Sequence, residues 1–356
     1  MNKTTQNTLL VLLLTVFLVG CQMGSGKKKV TVVSYNVENL FDTSNDPNTK
    51  DDDFTPDGYK KWTEDRYQKK IKDLAKVLAA SADGTLPTVI GLCEIENRKV
   101  LEDLANSAAL KDANYAISHF ESPYYRGMDV GLLYNPKLFK VKSEKVLPVT
   151  LLSDPKFTTR DILCVTGKLA GETFTFYVNH WSSRRGGSEK SEPKRMIAAS
   201  ILRRDVDRVI ADNPKANIVI MGDMNEDPNE YALNDVLRAG DLPSDISTIQ
   251  NDGTLYNLMY FYDKQGKGTY NYHGMWNMLD NMIVSSNVIK KSKGLGVEIA
   301  SMEKRADSFP TKIFIEDWFT FESDLGKTSP SKTYGGPNYY GGYSDHYPVV
   351  LKLTRK

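Results

Sequence analysis

Read for the spacing of apolar and polar positions, the chain alternates two kinds of segment. Short runs rich in β-branched residues predict strands at Val30–Tyr35, Thr88–Cys93, Val130–Tyr134, Ile162–Leu169, Phe174–Asn179, Asn217–Gly222, Met282–Ser285 and Val349–Leu353. Three stretches carry a helical period instead. Arg66–Ala80 sets Ile71, Leu74, Ala75 and Leu78 on one face, and Pro193–Ile210 does the same with Ile197, Ile201, Val209 and Ile210. Leu101–Leu110 is a shorter helix candidate. Many strands with few helices predict sheets packed face to face with helices outside. Two segments, Asp42–Asp65 and Ser308–Tyr343, have neither period and read as long loops, which are more often functional than idle in a compact domain.

The first residues follow another logic. Lys3 is followed by an apolar run, Leu9–Val19, that is too short for the roughly 20 apolar residues of a membrane span. A positive start, a short apolar core and small residues before a cut describe a secretory signal over residues 1–20. Leu18-Val19-Gly20-Cys21 resembles the lipobox of bacterial lipoproteins, which implies a lipidated Cys21 and a place in the bacterial cell envelope, on the periplasmic face or the cell surface. Residues 21–29 then form a polar, Gly-containing tether. With no repeat or internal linker visible, residues 30–356 are expected to form a single domain.

Composition narrows this picture by exclusion. The 356 residues are 40% hydrophobic and 26% charged, as in globular proteins. Removing residues 1–20 leaves 45 Lys and Arg against 45 Asp and Glu. Global charge therefore does not draw the chain to nucleic acid, and any attraction to phosphate has to be local. Three cysteines are too few for a disulfide framework, and Cys93 and Cys164, set in apolar runs, read as small buried hydrophobes.

The chemistry collects where strands begin and end. Asn36 and Glu38 follow the first strand, Glu94 the second, Asn179-His180 the fifth, and Asp223-Met224-Asn225 the sixth. Asp280 precedes the seventh strand, and Asp345-His346 the eighth. In a sheet with antiparallel neighbours, exits adjoin entries, so one rim can carry all of these groups. Carboxylate and amide oxygens in that number suit Mg²⁺, with Mn²⁺ or Ca²⁺ as alternatives. Metal, Asp and His together can neutralise a phosphate ester, activate water and assist the leaving oxygen.

Taken in order, Ser34-Tyr35-Asn36-Val37-Glu38, Ile90-Gly91-Leu92-Cys93-Glu94, Asn179-His180-Trp181, Met221-Gly222-Asp223-Met224-Asn225, Leu279-Asp280 and Ser344-Asp345-His346-Tyr347-Pro348-Val349 resemble the endonuclease/exonuclease/phosphatase superfamily with the DNase-I-like fold. The resemblance implies an α/β fold: a four-layered α/β sandwich of two packed mixed β-sheets flanked by helices. It implies Glu94 as principal metal ligand, with Asn36, Glu38 and Asp345 beside it. Asp223 would orient or deprotonate the attacking water, and Asn225 would hold the phosphate. His346, paired with Asp280, would contact the phosphate, and His180 would protonate the leaving oxygen. Arg160 resembles a phosphate-contacting arginine of the DNase branch, and Asp129 is taken as the acid that orients His180. Arg184 and Arg185, between small residues, either clamp a second phosphate or form a solvated turn.

A metal-dependent hydrolase of phosphodiesters is thus expected, first a nuclease with nucleic acid as substrate, attached to the membrane through Cys21. A phospholipid phosphodiesterase or a phosphatase is the alternative, against which no apolar hairpin suited to a bilayer is evident. A non-catalytic binding lipoprotein is a third reading, opposed by the intact catalytic set. No protein partner is indicated, and a monomer is expected. Asp51-Asp52-Asp53 reads as a solvated acidic loop with Ca²⁺ binding as the alternative. The Tyr-rich stretch Tyr334–Tyr343 is expected to border the site, either stacking on a base or sugar or packing its own loop.

Overall fold

A computed structural model describes residues 29–151, 154–291, 293–299 and 309–355. The expected signal segment, Cys21 and nearly all of the tether lie outside the described residues. Among those described, no helix is long and apolar enough to cross a membrane.

The strands are β1 (Lys29–Leu40), β2 (Val89–Ile95), β3 (Ala116–His119), β4 (Asp129–Tyr134), β5 (Phe139–Leu147), β6 (Ile162–Leu169), β7 (Glu172–His180), β8 (Asn217–Asp223), β9 (Ala239–Gly240), β10 (Leu255–Asn257), β11 (Asp280–Ser285), β12 (Leu295–Gly296), β13 (Thr311–Ile313) and β14 (Val349–Arg355). Three main helices accompany them: α1 (Glu64–Ala80), α2 (Arg98–Ala105) and α3 (Ser188–Asp212). One mixed sheet runs β12-β14-β1-β2-β4-β3, with β13 also on β14, and the other runs β5-β6-β7-β8-β11-β10-β9. Each sheet has a parallel pair at its centre, β1 with β2 and β7 with β8. A parallel pair needs a crossover, and α1 and α3 supply the two.

Four layers follow from the alternation of side chains along the strands. Val30 and Val32 of β1 face a core shared with Phe174, Phe176, Val219 and Met221 of the other sheet. Val33, Tyr35 and Val37 face the opposite way, onto Ile71, Leu74 and Leu78 of α1 and Leu101 and Leu104 of α2. Beyond the second sheet, Tyr177, Ile218 and Ile220 meet Ala198, Leu202 and Val206 of α3. Cys93 and Cys164 are buried and free.

All eight expected strands are present, and the helices shift. The second begins at Arg98 rather than Leu101 because Asn97 caps it, its side-chain oxygen accepting the Val100 N–H at 3.1 Å. The third begins at Ser188, five residues before Pro193. The Ser191 hydroxyl and Arg195 guanidinium bond the Gly187 and Ser188 carbonyls there. Its buried stripe is Ala198, Leu202 and Val206, with Ile197 and Ile201 only partly covered beside it. β5 went unread because its polar positions outnumber its apolar ones.

Candidate active site

The parallel registers aim the strand ends at one another. In the first sheet Asn36 lies opposite Cys93, so Glu94 follows directly; in the second Asn179 lies opposite Gly222, and His180 opposite Asp223. A Cβ at Gly222 would sit 2.0 Å from the Asn179 carbonyl oxygen, and its φ of +132° belongs to glycine. Only glycine therefore lets β7 and β8 close up immediately before Asp223. Antiparallel β11 sets Asp280 opposite Asp223, and β14, paired with β1 through Ser34 and Val349, brings His346 to the same place.

The amide of Asn36 joins the two sheets. Its nitrogen donates to Glu94 Oε1 at 3.3 Å and to Asp223 Oδ2 at 2.9 Å, and its oxygen accepts the Glu38 N–H at 3.0 Å. Asn36 thus positions the two carboxylates, and its oxygen, expected on the metal side, holds the Glu38 N–H. Glu94 has a left-handed backbone (φ 65°) at an irregularity in β2, and its Oε2 accepts the Asn39 N–H at 2.7 Å. That leaves its carboxylate at the rim, with 18% of the side chain exposed. Such conformations in non-glycine residues cost free energy and gather at functional sites.

Glu38 is displaced from its expected place among the ligands. Its two oxygens accept the backbone N–H groups of Thr333 (2.6 Å) and Tyr334 (3.0 Å), so it anchors the Tyr-rich loop. The buried Lys70 completes that anchor, donating to Thr333 Oγ1 at 2.6 Å and the Tyr343 carbonyl at 2.5 Å. Its sequence signal was weak: one lysine inside an amphipathic helix. The tyrosines of this loop mainly pack, Tyr334 against Phe54, Trp62 and Tyr339, and Tyr343 against Trp318 and Phe319.

His346 and His180 stand on either side of this arrangement in electrostatic terms. His346 Nδ1 is 2.6 Å from Asp280 Oδ2, and its Nε2 lies 3.9 Å from Asp223 Oδ2 and 4.0 Å from Asp345 Oδ1. Burial opposes its charge, but Asp280, by charge and hydrogen bond, with Asp223 and Asp345, holds its pKa well above the ordinary imidazole value. His180 Nε2 lies 3.7 Å from Asp223 Oδ2 and 3.9 Å from Glu94 Oε1. Burial, then the charges of Arg160 and His346, hold its pKa well below the ordinary value. The surroundings of the two histidines thus push their proton affinities in opposite directions.

The acids are perturbed as well. Burial first, with Asp280 adding to it, pushes Asp223 up to about 6 against the pull of His346. Desolvation and then Glu38 push Asp345 up to about 8, although 33% of its side chain remains open to solvent. Crowded oxygens of raised proton affinity are the donor set that a hard divalent cation satisfies. Glu94 and Asp345 are the carboxylates left partly open at this rim, while Asn36 holds Glu94 and Asp223 in place and Glu38 anchors the neighbouring loop.

Around this core the other expected residues divide. Asn225 has a left-handed backbone (φ 51°), bonds Asp223 Oδ1 through its N–H at 2.9 Å, and reaches the Trp181 carbonyl with its amide at 3.2 Å. Arg160 is buried, donates to the same carbonyl at 2.6 Å and lies 4.7 Å over the Tyr124 ring, where it feels Glu94 and Asp223. Arg184 is a correction. Its guanidinium is held by the Asn225 carbonyl (2.8 Å), Asp227 (3.1 Å), Glu230 and, at 3.4 Å, Asn277 Oδ1, so it braces the Asn225 turn with its charge already paired. Arg185 is exposed and makes no hydrogen bond or ion pair among the described residues.

Asp129 is the second correction of this kind. It accepts the Ser122 N–H at 2.9 Å and the Ser122 hydroxyl, and lies 3.5 Å from His119 Nε2; His180 Nδ1 has no hydrogen-bond partner. Of the acidic triplet, Asp52 and Asp53 are exposed, whereas Asp51 is buried and accepts the Asp46 N–H. Sequence reading missed Tyr270, whose ring lies 4.8 Å from that of His346, and Arg126, which donates to Asn39 at 3.1 Å. It also missed the hairpin formed by Tyr270–Tyr272 and Met275–Asn277, which exposes Tyr272 and Met275. An apolar-tipped hairpin is therefore present where none was expected.

This fold and rim define a phosphoesterase architecture, and the comparisons agree. The chain belongs to the Endonuclease/Exonuclease/phosphatase family, whose model matches residues 31–355. No curated protein matches it in sequence. Among solved structures it is similar to an endonuclease/exonuclease/phosphatase family protein from Bacteroides thetaiotaomicron (TM-score 0.53, 16% identity, 93% of this chain and 96% of that one). It is also similar to a mannosyl-6-phosphatase from Bacteroides thetaiotaomicron VPI-5482 (0.52, 17%, 91% and 99%). A third is D. rerio TDP2 complexed with a single strand DNA product (0.51, 14%, 91% and 98%). At these identities the likeness is one of fold.

Proposed function

We propose that this family member is a divalent-metal-dependent phosphodiesterase that cleaves nucleic acid, held at the bacterial envelope by a lipid on Cys21. The supporting observation is the pair of imidazoles, one from each sheet, whose Nε2 atoms lie 3.7 and 3.9 Å from the same oxygen of Asp223. A phosphodiester has a poor leaving group, and a site with two histidines can serve both the phosphoryl oxygen and the departing oxygen. A divalent cation held by Glu94 with Asp345 would neutralise phosphate charge. Asp223 orients and deprotonates the attacking water. His346, charged and fixed by Asp280, holds a phosphoryl oxygen, and Arg160 adds positive charge beneath it. His180 takes up a proton from solvent as the phosphate anion binds beside it and delivers that proton to the leaving oxygen. TDP2, as a complex with a DNA product, is a structural precedent for this substrate class.

The second reading, hydrolysis of a phosphomonoester or a phospholipid, draws on two observations. Arg184 is already neutralised, which removes one contact to a nucleic-acid backbone, and the Tyr272–Met275 hairpin offers apolar surface. A single Mg²⁺-dependent panel separates the readings: plasmid DNA, RNA, bis-p-nitrophenyl phosphate, p-nitrophenyl phosphate and sphingomyelin vesicles. Faster turnover of DNA or RNA than of every other substrate supports the nuclease; preference for the monoester or the vesicles overturns it. In the same strain, Cys21→Ser should release the protein to the soluble fraction or stall its processing. Residues 30–356 act as one domain in this proposal.

A further inference from the structure

Asp129, freed from the role of orienting His180, belongs to a different cluster. Its strand β4 pairs antiparallel with β3, which ends in His119, and the connection between them runs through residues 120–128. His119, Glu121 and Asp129 each bring one ligand atom to within 4.8 Å of the other two. Only 3% of the His119 side chain is exposed, and its Nε2 has no hydrogen-bond partner among the described residues. That nitrogen lies 3.5 Å from Asp129 Oδ2, while Asp129 Oδ1 is taken by the Ser122 N–H and hydroxyl. The donors at the cluster are thus His119 Nε2 with Asp129 Oδ2 beside it, and the Glu121 carboxylate, whose Oε1 lies 3.8 Å from His119 Nδ1. The Glu121 side chain is 66% exposed and gives the cluster an opening to solvent.

We propose that His119, Glu121 and Asp129 form a second metal site, separate from the catalytic rim and suited to a first-row transition-metal dication of the Zn²⁺ type. One imidazole with two carboxylates is a borderline donor set, softer than the all-oxygen sites Mg²⁺ prefers. Donors about 2.0–2.2 Å from a tetrahedral ion stand about 3.3–3.5 Å apart, which the His119–Asp129 separation already meets. The open side at Glu121 leaves room for water as a further ligand. Asp129 is oriented by Ser122, the kind of outer hydrogen bond that fixes a ligating carboxylate.

The site has a place in the larger design. The 120–128 connection carries Tyr124, whose ring lies 4.7 Å from the Arg160 guanidinium, and Arg126, which bonds the Asn39 side chain. The Asn39 N–H in turn holds Glu94 Oε2. An ion joining both ends of this connection steadies the segment that borders the catalytic residues.

The test is Zn²⁺ binding to the mature chain by equilibrium dialysis, with thermal melting as an independent readout. Glu121→Gln alters a largely exposed side chain and serves as the variant that keeps its fold; His119→Gln is its buried counterpart, and Glu94→Ala silences the catalytic carboxylate. The expected result is one Zn²⁺ equivalent retained by Glu94→Ala and weakened at least about tenfold in Glu121→Gln and His119→Gln. The Zn²⁺-induced rise in melting temperature should be reduced in the same two variants. Zn²⁺ stoichiometry and affinity unchanged in Glu121→Gln and His119→Gln would overturn the site, leaving His119 as an imidazole clamped between acids. Because binding and melting are read without turnover, this outcome is independent of which phosphoester the catalytic rim cleaves.

Discussion

The two halves of the molecule are built alike and end differently. In one, β1 crosses through α1 to the parallel strand β2; in the other, β7 crosses through α3 to the parallel strand β8. Asn36 lies opposite Cys93, one residue before Glu94; Asn179 lies opposite Gly222, one residue before Asp223. Yet Asn36 turns its amide to both acids, whereas Asn179 turns inward, to the Met221 carbonyl and the Trp181 indole N–H. The position after Asn36 is the buried Val37; the position after Asn179 is His180. A repeated backbone frame thus delivers two carboxylates to one rim, and the neighbouring side chains give them different surroundings, the setting for the proposed division into ligand and base. Symmetry fixes where the groups meet, and the departures from symmetry fix what each does.

The sharpest way to break this division of labour is to remove each acid in turn. Asp223→Asn keeps the shape and loses the base, so kcat should fall by about 10⁴-fold with Mg²⁺ unable to restore it. Glu94→Ala should abolish turnover at low Mg²⁺ and recover partly at high Mg²⁺, by mass action on a weakened site; EDTA should silence the wild type. If high Mg²⁺ rescues both variants equally, the two acids do the same work and the assignment fails.

His180 comes next, because the first half has no counterpart to it. His180→Ala should cost about 10²–10⁴-fold on DNA. The loss should be smaller on bis-p-nitrophenyl phosphate, whose leaving group needs no proton. Equal losses on the two substrates would remove His180 from service to the leaving oxygen.

The positions just before the acids offer a comparison of stability. At Gly222 an added Cβ meets the backbone of β7, so Gly222→Ala should destabilise by about 3 kcal/mol or more in urea unfolding. Cys93→Ala removes one buried sulfur, whose hydrogen bond to the Asn179 carbonyl is weak, and should cost about 1 kcal/mol. Similar losses for the two would show that the close approach at Gly222 is not needed.

The smallest effect is a shift in pH dependence. Asp280 raises the proton affinity of His346, whose charge is proposed to hold the phosphate. Asp280→Asn should lower that affinity and move the alkaline limb of kcat/KM to lower pH by about one unit. An unmoved limb would mean that His346 is not the group that limits activity at high pH.

Much of this was legible in the chain because strands bury alternating faces and end in short polar motifs. The eight expected strands stand where the β-branched runs lie, and the residues at their ends share one rim. What escaped reading lay in contacts between elements distant in sequence. Glu38 is in register with an acidic strand end, yet its oxygens meet amides nearly 300 residues away. Arg184 looks like a free phosphate clamp until Asp227 and Glu230 fold against it. Tyr270 carried no local signal, and Lys70 only the weak one of a lysine inside an amphipathic helix.

The sequence by itself determined eight of the strands, the two crossover helices, the family and the set of acids and histidines at the rim, because periodicity and strand-end chemistry are local properties. Only the tertiary structure decided which of those groups are committed to the fold and which remain open to a substrate. It also drove the proton affinities of His180 and His346 in opposite directions, since proton affinity depends on burial and on charges brought close by both sheets.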